Sequence, residues 1–243
     1  MKNTTRHPTR TTRSGRSDDR DPAQVLLVRK PEGWTSFDVV RKLRRLLRVR
    51  KAGHAGTLDP MATGLLIVCT GSKTKEISRY QGMEKEYRVR MVLGARTASF
   101  DAETPVTERR GTEAITEVQI REVLSSFVGP QVQTPPMWSA AKVGGTRLYK
   151  LARKGQTVER TPREIFIRSI TLVRIEMPAV DFVITCSKGT YVRTLVDDVG
   201  TRLGCGAYVA ALERTRIGEF RLEDAVSIED GALLAGRSRV DPI

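Results

Sequence analysis

At 243 residues, with 39% hydrophobic and 29% charged side chains, the chain can build one substantial core or two modest domains of ordinary globular composition. Its formal net charge of +14 and pI near 10.2 attract polyanions with salt-sensitive affinity, without separating RNA from DNA or an acidic membrane. No apolar run approaches the ~20 residues of a bilayer span, no apolar segment follows the basic N-terminus as in a secretory signal, and three cysteines without a CxxC pair argue against a disulfide framework or zinc site and fit a reducing cytoplasm.

Residues 1–22 are polar and rich in arginine, which predicts a disordered basic arm, either brushing phosphates through Lys2, Arg6, Arg10, Arg13, Arg16 and Arg20 or simply solvated. Order is expected to begin with a short buried strand at Val25-Leu26-Leu27-Val28. Thr35 and Asp38 then form a capping box, opening a helix with Phe37, Val40, Leu43 and Leu47 as its apolar stripe and Arg41, Arg44, Arg45 and Arg48 mostly away from it. Tyr87, Val89, Met91 and Leu93 alternate with more polar neighbours and predict a strand. Thr116 with Gln119 caps a second helix, which buries Ile120, Val123, Leu124 and Phe127 and ends at Gly129-Pro130. Strands are expected over 164–175 and 180–186, with Phe182, Ile184 and Cys186 on one face. A helix follows through Val192, Leu195, Val196, Val199 and Leu203. The sum is a mixed α/β chain of the α+β kind, with adjacent hairpins and no regular βαβ alternation, which disfavours a doubly wound nucleotide fold.

The densest chemical signal is Gly53-His54-Ala55-Gly56-Thr57-Leu58-Asp59-Pro60-Met61-Ala62-Thr63-Gly64, ahead of the apolar run Leu65–Cys69. Three glycines and a proline around one acid suggest a tight loop presenting a carboxylate, although such an acid is more often a turn-former. No Gly-Lys-Ser/Thr follows to make a phosphate loop. With only His7 and His54 and no acidic cluster around Asp59, a metal site lacks support.

This loop resembles the catalytic motif of the TruB family of tRNA pseudouridine synthases, and further motifs follow in order over roughly residues 25 to 230. Lys30-Pro31-Glu32-Gly33-Trp34-Thr35-Ser36 is similar to the family's first motif, and Lys85-Glu86-Tyr87-Arg88-Val89 to the strand bearing an active-site tyrosine. Gln133-Thr134-Pro135-Pro136-Met137-Trp138-Ser139-Ala140-Ala141-Lys142, with Arg147-Leu148-Tyr149 and Ala152–Gly155, resembles the insertion of the bacterial branch. Cys186–Leu195 matches the basic motif, and Leu212-Glu213-Arg214-Thr215-Arg216-Ile217-Gly218 the closing segment.

The resemblance implies a pseudouridine synthase fold, with a mixed, largely antiparallel central sheet flanked by helices and loops. The catalytic domain is expected over 23–230, with an RNA-gripping insertion at 133–157 and a tail at 231–243. After the closing motif, Glu219–Ile243 is too short for the family's C-terminal PUA domain, so weaker or more salt-sensitive tRNA binding is expected. The implied reaction converts uridine 55 in the T loop of transfer RNA to pseudouridine after base flipping, in the cytoplasm, by a monomer without cofactor, metal or guide RNA.

Asp59 is implied as the essential carboxylate, as nucleophile or base, with Arg193 as the guanidinium that orients it. Arg193 otherwise reads as a surface contact to phosphate. Tyr87 matches the tyrosine that stacks on the extruded base; from pattern alone it is strand core. Tyr191 matches a second pocket residue, and Leu212 would supply apolar wall. His54 is expected to enter the RNA loop rather than to catalyse. RNA contact is also expected of Lys30, Lys142, Arg147, Arg153 and Lys154, the last four lying in the insertion among Trp138 and Tyr149. Two other readings stand beside this one: an RNA-binding or RNA-folding protein with a vestigial pocket, and the same chemistry on ribosomal RNA.

Overall fold

Alternating burial along the strands and capped apolar stripes on the helices account for most of the architecture in the computed structural model, which describes residues 21–228. The arm expected over 1–22 lies outside the described residues except for Asp21 and Pro22, and the 231–243 tail lies wholly outside them. The first half of the chain runs β1 (Val25–Lys30), α1 (Ser36–Leu46), β2 (Ala52–His54), β3 (Thr63–Thr70), α2 (Ile77–Gly82), β4 (Lys85–Leu93), β5 (Ala95–Thr97), β6 (Val106–Arg109) and α3 (Glu117–Ser125). The second runs β7 (Gly129–Gln133), β8 (Lys142–Val143), β9 (Thr146–Arg147), α4 (Leu148–Ala152), β10 (Arg163–Glu176), β11 (Ala179–Cys186), α5 (Val192–Arg202), β12 (Ala207–Ile217), β13 (Phe220–Arg221) and β14 (Val226–Ser227).

One sheet has the order β14-β1-β3-β12-β4-β11-β10-β7, with β2 added to β3 and β13 to β12; β5–β6 and β8–β9 are separate two-stranded ribbons. Its pairings are antiparallel except β1–β14 and β3–β12. This is the mixed, largely antiparallel sheet that the resemblance implies. Period-2 alternation in β4 and β11 turns Tyr87, Val89, Met91, Phe182, Ile184 and Cys186 toward a core closed by α3 and α5.

A second cluster packs α1 on β1 and β3 through Val39, Val40, Leu43, Leu66 and Val68. The capping box at Thr35 and Asp38 is present, but Phe37 is not in the stripe: it is 64% exposed, and Val39 takes the core position instead. Ser36, Val39, Val40 and Leu43 are the buried side chains of this helix, and Phe37, one residue after Ser36, is rotated about 100° away from that line.

The strand β12 has no clear signature in the sequence. Register shifts between Val209 and Ala211 and between Arg214 and Arg216 break its alternation, yet it occupies the middle of the sheet between β3 and β4. Where β12 meets β3 in parallel, Arg214 lies opposite Gly64. Gly64 has φ +104, and an added Cβ would lie 2.3 Å from the Arg214 carbonyl oxygen, so only glycine permits this crossing.

Candidate active site

The turn from β2 to β3 is fastened on every side. Ser36 Oγ accepts from Leu58 N at 2.9 Å and donates to Leu58 O at 3.2 Å, which locks the loop to the start of α1. Gly33 N donates to Pro60 O at 2.9 Å, and Ala62 N to Asp59 O at 3.1 Å. Arg214, buried at the β3–β12 crossing, donates Nε to Leu65 O at 2.8 Å and Nη2 to Gly56 O at 3.2 Å. Glu103 Oε1 accepts from Met61 N at 3.2 Å. A loop with so many of its backbone groups engaged holds its one carboxylate in a fixed place.

That carboxylate is Asp59. Its Oδ2 lies 2.9 Å from Nε of Arg193, and a third of its side chain faces the adjoining cleft. Arg193 is buried in the first turn of α5, and its guanidinium meets four acceptors, Asp59 among them. Nη1 lies 3.1 Å from Asp101 Oδ2 and donates to Ser99 O at 2.8 Å, and Nη2 donates to Trp138 O at 2.8 Å. Burial raises the pKa of Asp59 above the ordinary carboxylate range; Arg193 opposes that shift, and the neighbouring Asp101 adds to it.

The cleft has a volume of about 620 Å³, and Asp59, Tyr87, Tyr191, Arg193, Leu212 and Arg214 all line it. Tyr87 is buried, and burial raises its phenol pKa while the Arg214 guanidinium opposes the rise. An aromatic side chain, an apolar wall and an oriented carboxylate thus converge on a space wide enough for a planar ring. Among the described residues, no group of three or more His, Cys, Asp and Glu is arranged to hold a metal ion, and no helix is long and apolar enough to cross a membrane.

The other sequence candidates fall elsewhere. Lys30 is corrected: it does not face solvent or RNA. Its side chain is fully buried, and Nζ donates to Pro31 O, Trp34 O and Pro60 O at 2.8, 2.6 and 3.1 Å. Burial lowers its pKa to about 8. It is an internal pin for the Asp59 loop, invisible in a sequence where it looks like any surface cation. His54 sits half-buried at the end of β2, with its pKa lowered by burial and by the nearby Arg214 and Arg147. Lys142, Arg147, Arg153 and Lys154 are exposed on the segment between β7 and β10, with Arg153 over the Tyr149 ring at 5.5 Å.

Asp101, Glu103 and Arg214 were not singled out as site residues by sequence reasoning. Arg214 lay inside the closing motif, which was its only signal. Asp101 follows Phe100, a non-glycine residue at φ 63, in a turn that no glycine or proline announces.

Comparison with known proteins gives a consistent answer. A family model described as TruB family pseudouridylate synthase (N terminal domain) matches residues 44–192, and one described as tRNA pseudouridylate synthase B C-terminal domain matches 193–235. The chain is 51% identical over 206 residues to a tRNA pseudouridine synthase B of Opitutus terrae, covering 84% of this chain and 85% of the relative. It is 49% identical over 215 residues to that of Chlorobium luteolum, covering 86% and 74%. Among solved structures it resembles one in a Cbf5-Nop10-Gar1 complex, with a TM-score of 0.68 and 30% identity, covering 85% of this chain. It spans about half of that longer chain, 53%.

Proposed function

The chain belongs to the TruB family of pseudouridylate synthases, and from that premise we propose that it isomerises uridine 55 in the T loop of transfer RNA to pseudouridine, with Asp59 as its essential carboxylate. The observation that carries this reading is the Asp59–Arg193 contact of 2.9 Å on a cleft that also holds Tyr87, Tyr191 and Leu212.

The reaction breaks the N1–C1′ bond, turns the base and joins C5 to C1′; C5 gives up a proton and N1 gains one. A stacked uridine must first leave the RNA, at a cost of a few kcal/mol. Stacking on Tyr87 against the Leu212 wall recovers part of that, since a base on an aromatic side chain contributes ~1–3 kcal/mol. Asp59 then acts as nucleophile or as base, and Arg193 fixes its direction and holds its charge against desolvation. Outside the cleft, Lys142, Arg147, Arg153 and Lys154 grip phosphates and His54 contacts the T loop. The domain is read as residues 23–230 with its insertion at 133–157. The enzyme works as a monomer in the cytoplasm on tRNA itself, without a guide RNA.

Incubating the protein with unmodified tRNA and mapping pseudouridine tests this. Product at position 55 is expected from the wild type, and a loss of ~10⁴-fold or more from Asp59→Asn and Asp59→Ala. A wild type that binds tRNA tightly and yields no pseudouridine anywhere would instead favour an RNA-binding protein with a vestigial pocket.

A further inference from the structure

The segment proposed to grip RNA begins at Gln133, and this residue does more than end a strand. It is 5% exposed, and both ends of its amide are engaged. Gln133 Oε1 accepts from Tyr191 N at 2.7 Å, and Nε2 donates to Tyr191 O at 3.0 Å. Tyr191 is the N-cap residue of α5, and its own side chain makes no capping bond. Its carbonyl also accepts from Leu195 N at 3.2 Å. The Gln133 amide therefore holds both backbone groups of the cap residue, as a neighbouring strand would, at a helix start whose N–H groups have no partner within the helix.

Two residues further along, Arg193 donates to the carbonyl of Trp138, five residues beyond Gln133, and keeps Nε on Asp59. Residues 133–138 and 191–193 are thus bonded to each other at both ends, and the guanidinium that orients the carboxylate is a member of the ring they form. An apolar residue in place of Gln133 would leave Tyr191 N and O without this partner at a half-buried helix start, and α5 would be free to shift its first turn.

We propose that Gln133 is a positioning residue of the reaction: it fixes the first turn of α5 and thereby ties the RNA-gripping segment to the orientation of Arg193 and Asp59. This rests on the function proposed above. Gln133 touches neither the cleft acid nor the base; it acts through Arg193. A displacement of about 1 Å in a reacting group can cost ~10²-fold in rate, so losing this clamp slows chemistry without weakening RNA capture.

The test compares wild type, Gln133→Ala, Arg193→Lys and the double variant in single-turnover pseudouridine formation on unmodified tRNA, with tRNA affinity and melting temperature measured alongside. Gln133→Ala is expected to slow the reaction by ~10²-fold while tRNA affinity stays within about threefold; in the Arg193→Lys background the same change should cost only a few-fold, because residues acting through one unit are not additive. Equal factors in both backgrounds, an affinity loss matching the rate loss, or an unchanged rate would each overturn the proposal. Gln133→Met, which keeps the volume, decides the matter if Gln133→Ala does not fold, and failure of both to fold would make Gln133 a merely structural residue. A wild type that makes no pseudouridine overturns the functional reading itself, and this inference with it.

Discussion

The loop around Asp59 and the segment between β7 and β10 are the two parts of this protein that the proposed reaction needs most, and they are built in opposite ways. The loop is held by Ser36, Lys30, Gly33, Arg214 and Glu103, nearly all through its backbone. In the segment, Lys142, Arg147, Lys150, Arg153 and Lys154 are exposed, and the secondary structure is a two-residue ribbon pair and the five-residue α4. Chemistry on a carboxylate needs a fixed direction, whereas recognition of phosphates tolerates adjustment and draws on charge rather than shape. The two regions meet at Arg193, which takes Asp59 on one side and the Trp138 carbonyl on the other.

The contrast can be broken most sharply at that meeting point. Arg193→Lys is expected to lower single-turnover rate by ~10²–10³-fold with tRNA affinity nearly intact, because a lysine cannot serve four acceptors in the plane of one guanidinium. Equal loss of rate and binding, by filter binding and quenched-flow assays, would remove the orienting role. Next comes the base of the loop: Gly64→Ala forces a side chain against the Arg214 backbone at positive φ. It should destabilise the fold by about 2–4 kcal/mol in denaturant titrations. An unaltered midpoint would mean that β3 and β12 do not cross so closely.

Changes in the other region should show as affinity. Replacing Lys142, Arg147, Arg153 and Lys154 together with alanine should weaken tRNA binding and reduce the steepness of its salt dependence by ~1 for each phosphate no longer neutralised. The rate at saturating tRNA should stay within a few-fold; a collapse in rate would show that the cations shape the site as well as capture the substrate. The smallest effect sharpens the picture of Asp59 itself. Burial raises its pKa, so in the interval between the ordinary carboxylate value and the raised one the folded state binds more protons than the unfolded state, and stability falls as pH rises through it. Above that interval the ionised group is therefore a net cost to folding. Asp59→Asn should there melt slightly higher than wild type, and the gap should narrow on acidification below the interval. A lower melting temperature in the variant would reverse the assignment.

Much of this was legible in the sequence where physics is local. The capping boxes at Thr35 and Thr116, the alternation of β4 and the apolar stripe of α5 each satisfy rules within a dozen residues, and each appears in the fold. The glycine-rich acid loop was legible as a turn presenting a carboxylate. What escaped was long-range or irregular. The bulged β12 loses its period, and Lys30 is hidden by carbonyls as far along the chain as Pro60. Asp101 reaches Arg193 across some ninety positions of chain, from a turn set by a phenylalanine in the left-handed region. Phe37 misled because its three-residue spacing to Val40 fits the stripe, although the helix turns it to the exposed side.

The place of β12 in the sheet has a consequence for synthesis. It is the last long strand among the described residues to leave the ribosome, yet it wedges between β3 and β4 and delivers Leu212 and Arg214 to the cleft. A nascent chain that has emerged only as far as α5 already carries Asp59, Tyr87 and Arg193, but it lacks the strand that joins β3 to β4. Catalytic competence must therefore wait for β12 to emerge and pair, and the pairing of such distant strands is intrinsically slow.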